Sequence, residues 1–225
     1  MKPELIVMLT HHDQTVPDAH QLFVEAQDLP VRCWGFKDVG LPVAEMHSLL
    51  RAMKDAGKTT FLEVVSLSEA EGLRGAQVAL DGGFDILMGT VYFASIRNLL
   101  QGTLVQYYPF PGHVHSHPSI LDGEIGQIVN HARWLEGQGV QGLDLLAYRY
   151  TGDAFRLLRE VVPAVGIPLV SAGSIASFER IVEVRLSGAW GFTIGSAFFE
   201  GKFASGGSFR QNVAAVVQWM EQGTA

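Results

Sequence analysis

Short apolar runs alternate with amphipathic segments along the whole chain. The apolar runs are rich in Val, Ile, Leu and Phe, which is typical of buried strands. The segments between them have helical spacing; in residues 42–57, for example, Val43, Met46, Leu50 and Met53 recur on one helix face. This pattern predicts eight strands, over residues 4–10, 31–36, 59–65, 84–90, 104–110, 142–148, 168–173 and 189–195. It predicts a helix after each strand, over residues 17–27, 42–57, 68–83, 93–102, 123–138, 153–165, 177–188 and 208–222.

The predicted strands lack the polar–apolar alternation of a sheet that has one face in water. Continuous apolar runs of this kind indicate strands buried on both faces, as in parallel sheets. Eight such strand–helix units in a chain of 225 residues are typical of one (β/α)8 TIM barrel. We therefore predict an α/β protein with a single barrel domain over residues 1–225. The alternative is an open doubly wound sheet, but no Gly-x-Gly-x-x-Gly pattern follows the first strand to support its dinucleotide-binding version.

Charge and composition narrow the function classes. The chain carries a formal net charge of −7, whereas binding to a nucleic-acid backbone needs a basic surface. No apolar run reaches membrane-spanning length, and residues 1–10 hold too short an apolar core for a signal peptide. The single cysteine, Cys33, forms no intrachain disulfide, which favours a cytoplasmic location. We expect no nucleic-acid or membrane partner, and the sequence leaves a homo-oligomer open.

Predicted strands seven and eight both end in a step of small residues, Gly173-Ser174 and Gly195-Ser196. Catalytic groups of a TIM barrel lie at the C-terminal ends of its strands, and a phosphate is often bound between the last two loops. Glycine lets the backbone approach the phosphate oxygens, serine adds a hydroxyl donor, and a short helix in "SAFFEG" would add backbone N–H groups. These four residues are our predicted phosphate site. The alternative is that both glycines only shape tight turns.

The stretch "PLVSAGSIASFERIVEVRLSGAWGFTIGSAFF" resembles a group of phosphate-binding (β/α)8 barrels, the ribulose-phosphate, histidine-biosynthesis and tryptophan-biosynthesis enzymes. The small-residue end of strand seven, the Gly188-Ala189 pair and the hydrophobic-Gly-x-Ala end of strand eight carry the resemblance, which covers about 30 residues. The resemblance implies a small phosphorylated ligand. It does not specify a reaction.

Lys37, Asp38 and Glu63 are charged residues at or near the ends of predicted strands two and three. A buried Lys with a lowered pKa can form a Schiff base with a carbonyl substrate, or its charge can stabilise an enediolate. Glu63 lies within an apolar strand, and because an unpaired charge beneath the helices would be costly, we place it in the barrel lumen. Lys37 and Glu63 are predicted catalytic residues, and Asp38 a substrate contact. The alternatives are a solvent-facing Lys37 paired with Asp38, and a purely structural ion pair.

Two further positions follow strand ends. Arg149 lies just past strand six and looks like the counterpart of an Arg that helps to hold substrate in the tryptophan-branch barrels, so it joins the predicted catalytic set; the alternative is a salt bridge to Asp153. Thr90 follows Gly89 at the end of strand four, and we predict that it contacts substrate.

Histidines cluster in two predicted loops. His11 follows strand one, and His113 and His115 follow strand five. Histidine serves as a general acid or base and as a metal ligand, so these three are predicted substrate contacts, and a metal-dependent enzyme is one alternative. Metal-hydrolase barrels, however, have a His-x-His pattern on strand one and an Asp on strand eight, and this chain has neither. We therefore predict no metal and no organic cofactor.

The sequence favours an enzyme that acts on a small phosphorylated sugar or sugar-like carbonyl compound, as a lyase or an isomerase. The phosphate would be held at strands seven and eight while Lys37 and Glu63 manage proton transfer or aldol chemistry. Residues 35–65 also resemble, weakly, the glycerol-operon antiterminators. That resemblance implies an alternative regulatory protein that senses a sugar phosphate and binds RNA.

Overall fold

Eight parallel strands form one sheet that rolls into a nearly closed barrel in the computed structural model, which describes residues 2–222. We label them β1 to β8 in chain order. They are Glu4–Met8, Cys33–Lys37, Thr59–Ser66, Ile86–Val91, Gln106–Phe110, Leu143–Leu145, Leu169–Ser171 and Gly191–Ile194. The predicted (β/α)8 barrel and its parallel strands are confirmed. Met1 and residues 223–225 of the predicted domain lie outside the described residues.

A helix follows each strand and covers the outside of the barrel. We label these helices α1 to α8. They are Ala19–Ala26, Val43–Asp55, Glu69–Gly82, Ala94–Leu100, Ile125–Gly137, Ala154–Val161, Phe178–Ser187 and Phe209–Gln222. A short extra helix, Ser196–Phe199, precedes α8, as the sequence predicts. Within residues 2–222, no helix combines the length and the apolar character that crossing a bilayer requires.

The sheet runs in the order β6-β7-β8-β1-β2-β3-β4-β5, so its first and last strands, β6 and β5, meet at the seam of the barrel. A side chain bridges this seam. The Tyr107 backbone N–H on β5 donates to Gln141 Oε1 at 2.9 Å. The Gln141 backbone N–H, just before β6, donates to the Tyr107 carbonyl at 3.2 Å.

The apolar core has two layers because alternate residues of each strand face opposite sides of the sheet. A small cluster fills the lumen and includes Ile6, Met8, Phe61 and Val170. A larger cluster, which includes Leu62 of β3, packs between the strands and the helices. Glu63 therefore faces the lumen, two positions beyond Phe61, and it lines the cavity described below.

Two loops contain short hairpins that the periodicity does not predict. Residues Thr10–His11 pair with Gln14–Thr15 after β1, and His113–His115 pair with Ile120–Asp122 after β5. The predicted sixth strand is also shorter than expected, since β6 ends at Leu145 and a 3-10 turn covers Ala147–Arg149. These hairpins and this turn bring polar side chains over the C-terminal end of the barrel.

Candidate active site

A cavity of about 350 Å³ lies at the C-terminal ends of the strands. Every strand except β4 contributes a residue or a following loop to its walls. The polar lining residues used below are Thr10, Asp13, Lys37, Glu63, Ser119, Arg149, Ser174, Arg180, Thr193, Ser196 and Glu200. The cavity thus brings together the predicted catalytic residues and all four residues of the predicted phosphate site.

A buried ion cluster occupies one side of the cavity. Lys37 Nζ lies 2.9 Å from Asp13 Oδ1 and 3.6 Å from Glu63 Oε1. Arg149 Nη2 reaches the same Asp13 oxygen at 3.1 Å. The Lys37 residue is only 5% exposed. Lys37 therefore pairs with Asp13 and Glu63 rather than with Asp38, and Arg149 pairs with Asp13 rather than with Asp153.

The cluster keeps Lys37 charged. Burial acts to lower the pKa of the Lys37 ammonium group, but the Glu63 and Asp13 carboxylates outweigh burial and raise that pKa above its ordinary value. Burial likewise acts to raise the pKa of Asp13, but the hydrogen bonds and charges of Lys37 and Arg149 lower it. A Schiff base needs a neutral amine, so the lowered Lys37 pKa that the sequence analysis considered is not what this arrangement produces.

The first hairpin positions Asp13 over the barrel. His12 and Asp13 both have positive φ, 50° and 61°, as the two central residues of a type I′ hairpin turn do. Thr15 fixes the hairpin to β2, since its hydroxyl donates to the Lys37 carbonyl at 2.7 Å and accepts from the Lys37 N–H at 2.9 Å. Asp13 is thereby held directly against the Lys37 side chain.

The two glycines of the predicted phosphate site lie where other groups approach the backbone closely. A Cβ added at Gly173, which has φ +82°, would come within 2.9 Å of Arg149 Cγ. A Cβ added at Gly195 would come within 2.5 Å of Thr10 Oγ1. Glycine is therefore needed at both positions for packing, whether or not a phosphate binds there.

Arg180 adds a cation beside these loops. It is the third residue of α7, lines the cavity and donates a hydrogen bond from Nη1 to the Ser174 carbonyl. Its guanidinium lies 4.9 Å from the centre of the Tyr148 ring, and the Tyr148 hydroxyl donates to the Arg180 carbonyl at 3.0 Å. The guanidinium is thus held next to the Gly/Ser loops, where a phosphate would need a positive charge.

Asp144 is a fully buried carboxyl group on β6. It is in register with Val170, a lumen residue, and neither of its oxygens has a hydrogen-bond partner among the described residues. Burial raises the pKa of Asp144 well above its ordinary value, Glu63 raises it further, and Lys37 and Arg149 oppose the shift. Burial without a hydrogen-bond partner thus favours the neutral form of this carboxyl group, which lies near the ion cluster.

The free energy of unfolding of the Asp144→Asn variant should increase relative to that of the parent as the pH rises above 4. The unfolded chain releases the Asp144 proton near pH 4, whereas the folded chain retains it until the pH reaches the raised pKa. The free energy of unfolding of the parent therefore loses about 1.4 kcal/mol per pH unit between these two values, and the variant lacks this loss. Urea denaturation of both proteins between pH 4 and 8 measures it, with Asp55→Asn on the exposed side of α2 as the control. A parent–variant difference that does not change with pH would contradict the assignment.

Other predicted site residues lie away from the cavity. Thr90 is buried in the outer layer, where its hydroxyl is 2.6 Å from the Tyr107 hydroxyl. Asp38 follows β2 and its N–H donates to the Glu63 carbonyl at 3.2 Å; burial, assisted by Glu63 and opposed by its own backbone N–H, raises its pKa to about 6. Neither side chain lines the cavity, and their roles as substrate contacts stay predictions.

The histidines are distributed over separate loops. His11 stacks on His12 and Phe199, and its Nε2 lies 3.9 Å from Glu200 Oε1 at the edge of the cavity. His113 and His115 lie on the second hairpin, and His113 lines a different surface cavity. Among residues 2–222, no three His, Cys, Asp or Glu side chains form a group that could hold a metal ion. The donor set that the metal-dependent alternative requires is therefore not assembled in the described part of the chain.

Asp13, Arg180, Ser119 and Thr193 belong to the cavity but not to the predicted site. Asp13 could have been found from its position after β1, because "THHDQT" places a carboxylate in a loop at the C-terminal end of the barrel. The other three have no local signal: Arg180 lies in a helix, Ser119 in a loop and Thr193 within an apolar strand.

Comparison with known proteins gives distant relatives. No protein-family model matches the chain. The chain is 31% identical over 160 residues to a curated protein of Anaeromyxobacter dehalogenans (strain 2CP-C), the 1-(5-phosphoribosyl)-5-((5-phosphoribosylamino)methylideneamino) imidazole-4-carboxamide isomerase. It is 28% identical over 155 residues to the isomerase of the same name from Anaeromyxobacter sp. (strain Fw109-5). The matches span 58% and 56% of this chain and 65% and 63% of the relatives, so the chain covers less than two thirds of either relative.

Solved structures match over more of the chain at lower identity. The native KDPGal structure has a TM-score of 0.71 and 14% identity, over 100% of this chain and 97% of that one. The tryptophan synthase complex of Pyrococcus furiosus has a TM-score of 0.69 and 12% identity, over 97% and 98%. The N-acetylmannosamine-6-phosphate 2-epimerase of Clostridium perfringens has a TM-score of 0.63 and 13% identity, over 86% of both chains. These likenesses show that the chain has the fold of the TIM-barrel enzymes.

Proposed function

We propose that the protein is an enzyme that acts on a small phosphorylated sugar or sugar-like carbonyl compound. It removes a proton from a carbon atom of this substrate and works as an isomerase, an epimerase or a lyase. One observation carries this proposal. A single cavity holds a buried Asp13–Lys37–Glu63–Arg149 cluster together with two Gly/Ser loops and a cation, Arg180. Such a cavity can hold a phosphate at one place and present a carbonyl to charged groups at another. The names of two similar proteins, an isomerase and a 6-phosphate epimerase, agree with this class.

In the proposed mechanism Glu63 removes a proton from the carbon next to the carbonyl group. Its Oε1 lies 3.6 Å from Lys37 Nζ, beyond hydrogen-bond distance, so it stays available to a substrate. The Lys37 ammonium and the Arg149 guanidinium stabilise the negative charge that develops on the substrate oxygen. Asp13 keeps both cations in place. Because the pKa of Lys37 is raised, we favour this proton transfer over Schiff-base aldol chemistry.

The phosphate is proposed to lie among Gly173, Ser174, Gly195 and Ser196, with Arg180 supplying the positive charge. The name of the relatives describes two phosphoribosyl groups. The described lining of this cavity combines Gly/Ser loops with a cation at one position, the ends of β7 and β8. On the opposite side of the barrel, β3 contributes Glu63 and the apolar Val65, and β4 contributes nothing to the lining. We therefore propose a substrate with one phosphate group.

Incubation in D2O with a panel of phosphorylated aldoses, ketoses and 2-keto acids tests the function, because a proton held on the Glu63 carboxylate in a solvent-accessible cavity exchanges with solvent before it returns to carbon. We expect deuterium incorporation into at least one phosphorylated compound and into none of the dephosphorylated controls. Arg180→Gln should raise the KM of that compound about tenfold, since it removes a charge-assisted hydrogen bond to phosphate. The matched control is Arg156→Gln on the exposed face of α6.

Two results would refute the proposal. The first is a panel without any exchange, measured on a protein that also fails to bind inorganic phosphate. The second is equal exchange of the phosphorylated and dephosphorylated compounds, which would remove the phosphate site. The regulatory alternative stays a prediction, and RNA affinity of a protein that lacks exchange activity would support it.

A further inference from the structure

Ser119 and Thr193 are two of the cavity-wall residues whose hydroxyl groups form no side-chain hydrogen bond within residues 2–222. Ser119 is 3% exposed, and its Oγ is buried without a partner among the described residues. Thr193 is 9% exposed, lines the same cavity and makes no side-chain hydrogen bond within residues 2–222. Buried hydroxyl groups are nearly always paired, because an unpaired one has lost its water without compensation. Ser119 Oγ is such a group, and a ligand that supplies its missing partner recovers this lost free energy. The Thr193 hydroxyl is instead open to the cavity, where a ligand can reach it directly.

Both hydroxyls are carried by well-anchored backbone. Thr193 lies within β8, in register with the lumen residue Ile6. Ser119 lies in the second hairpin, whose Leu121 is fully buried and accepts a hydrogen bond from the Thr151 N–H at 3.1 Å. The Thr151 hydroxyl also donates to Asp122 of this hairpin at 2.8 Å. The backbone positions of both residues are therefore fixed before a ligand binds, as a specific contact requires.

The two hydroxyls lie on different sides of the cavity. Thr193 lies on β8 and precedes Gly195 of the proposed phosphate site by two residues, whereas Ser119 follows β5, which is three strands from β8 across the seam of the barrel. Phe110 and Leu146 form the apolar wall on the Ser119 side. A ligand whose phosphate is bound near Gly195 has its nearest carbon atoms beside Thr193 and its distal carbon atoms beside Ser119. Because Ser119 Oγ is buried, the hydroxyl group meets a ligand by rotating about χ1 to another staggered position.

We propose that Thr193 and Ser119 bind hydroxyl groups of the substrate, and that the substrate is a phosphorylated polyhydroxy compound rather than a phosphate with an apolar chain. This inference rests on the proposed function. It assigns two specificity residues on β8 and in the loop after β5, and it narrows the substrate class to compounds with hydroxyl groups near the phosphate and at the distal end.

Two unreactive probes of equal carbon number test the inference. D-Ribitol 5-phosphate carries hydroxyl groups along its chain, and n-pentyl phosphate carries none. Calorimetric titration of the parent should show tighter binding of ribitol 5-phosphate. Ser119→Ala and Thr193→Val should each weaken ribitol 5-phosphate about fivefold, the effect of one neutral hydrogen bond, and leave pentyl phosphate within about twofold. Melting temperatures of the unliganded variants verify that they are folded.

Ser171→Ala is the matched control. Ser171 Oγ is also buried without a partner, but Ser171 is in register with Leu145 and Phe192 of the outer core and does not line the cavity. The Ser171→Ala variant should bind both probes with the affinity of the parent. Equal affinity of the parent for both probes, or ribitol 5-phosphate affinity unchanged in both cavity variants, would overturn the inference and leave the phosphate proposal standing. Absence of binding of both probes and of inorganic phosphate would overturn the proposed function itself.

Discussion

Glu63→Gln is expected to slow deuterium exchange into the substrate by a factor of about 10²–10⁴, the usual contribution of a general base. The amide keeps the size and shape of the carboxylate but cannot accept the substrate proton. Phosphate binding should be unaffected, because Glu63 lies on β3, whereas the Gly/Ser loops follow β7 and β8. The exchange rate in D2O and the dissociation constant of inorganic phosphate are the two measurements.

Glu63 is a better base than its neighbour Asp13 for a geometric reason. Asp13 Oδ1 accepts hydrogen bonds from Lys37 at 2.9 Å and from Arg149 at 3.1 Å, and these cations lower its pKa. A carboxylate with a lowered pKa and occupied lone pairs is a weak proton acceptor. Glu63 makes no side-chain hydrogen bond among the described residues, so its oxygens are free to meet a substrate.

Glu200→Gln is the control for this experiment, because Glu200 is another carboxylate of the cavity wall and contacts Lys202 at 3.5 Å rather than Lys37. It should retain exchange within about tenfold. Exchange by Glu63→Gln at the parent's rate, or an equal loss in both variants, would remove Glu63 from the role of base.

The fold could be predicted from sequence because a parallel barrel has a strong hydrophobic pattern. Its strands are buried on both faces and each is followed by an amphipathic helix, so the count of eight repeats is visible in the composition of short segments. The limits of the prediction lie in the loops. The hairpins at Thr10–Thr15 and His113–Asp122 have few apolar positions, and their pairing depends on turns and on contacts with neighbouring strands.

The Lys37–Glu63 contact could be predicted because both residues lie at corresponding levels of adjacent strands, and the register confirms them as partners. The sequence does not reveal the role of Asp13, because its contact with Lys37 depends on left-handed backbone at His12 and Asp13, and His-Asp is a weak sequence indication of that turn. Arg149 was expected near substrate, but its pairing with Asp13 joins residues 136 positions apart.

Thr90 shows how a local irregularity changes a prediction. Strict alternation after Met88, a lumen residue, would place Thr90 in the lumen. The register between β4 and β5 shifts between Met88 and Val91, and Gly89 has φ +92°. The shift turns Thr90 to the outer layer, where it meets the Tyr107 hydroxyl. Gly89 was the only indication of this bulge in the sequence.

We expect the ion cluster to stabilise the fold in addition to its proposed role in catalysis. Lys37 carries one positive charge between two carboxylates in a site where its side chain is 6% exposed and each of theirs is 13% exposed. Removing one member of a buried ion pair leaves its partner as an uncompensated buried charge, which costs far more than an exposed pair is worth. Asp13 would keep Arg149 as a partner, but Glu63 would lose its cation.

Lys37→Met should therefore lower the free energy of unfolding by about 3–5 kcal/mol at pH 7, because Met fills the same space without the charge that Glu63 needs. Adding Glu63→Gln should restore part of this loss, since the double variant no longer buries an unpaired carboxylate. Urea denaturation of the parent, both single variants and the double variant measures the coupling. The control is Lys54→Met, which removes a 2.7 Å ion pair with Asp85 at the exposed end of α2 and should cost less than about 1 kcal/mol. Equal losses at Lys37 and Lys54, without recovery in the double variant, would show that the cluster does not stabilise the fold.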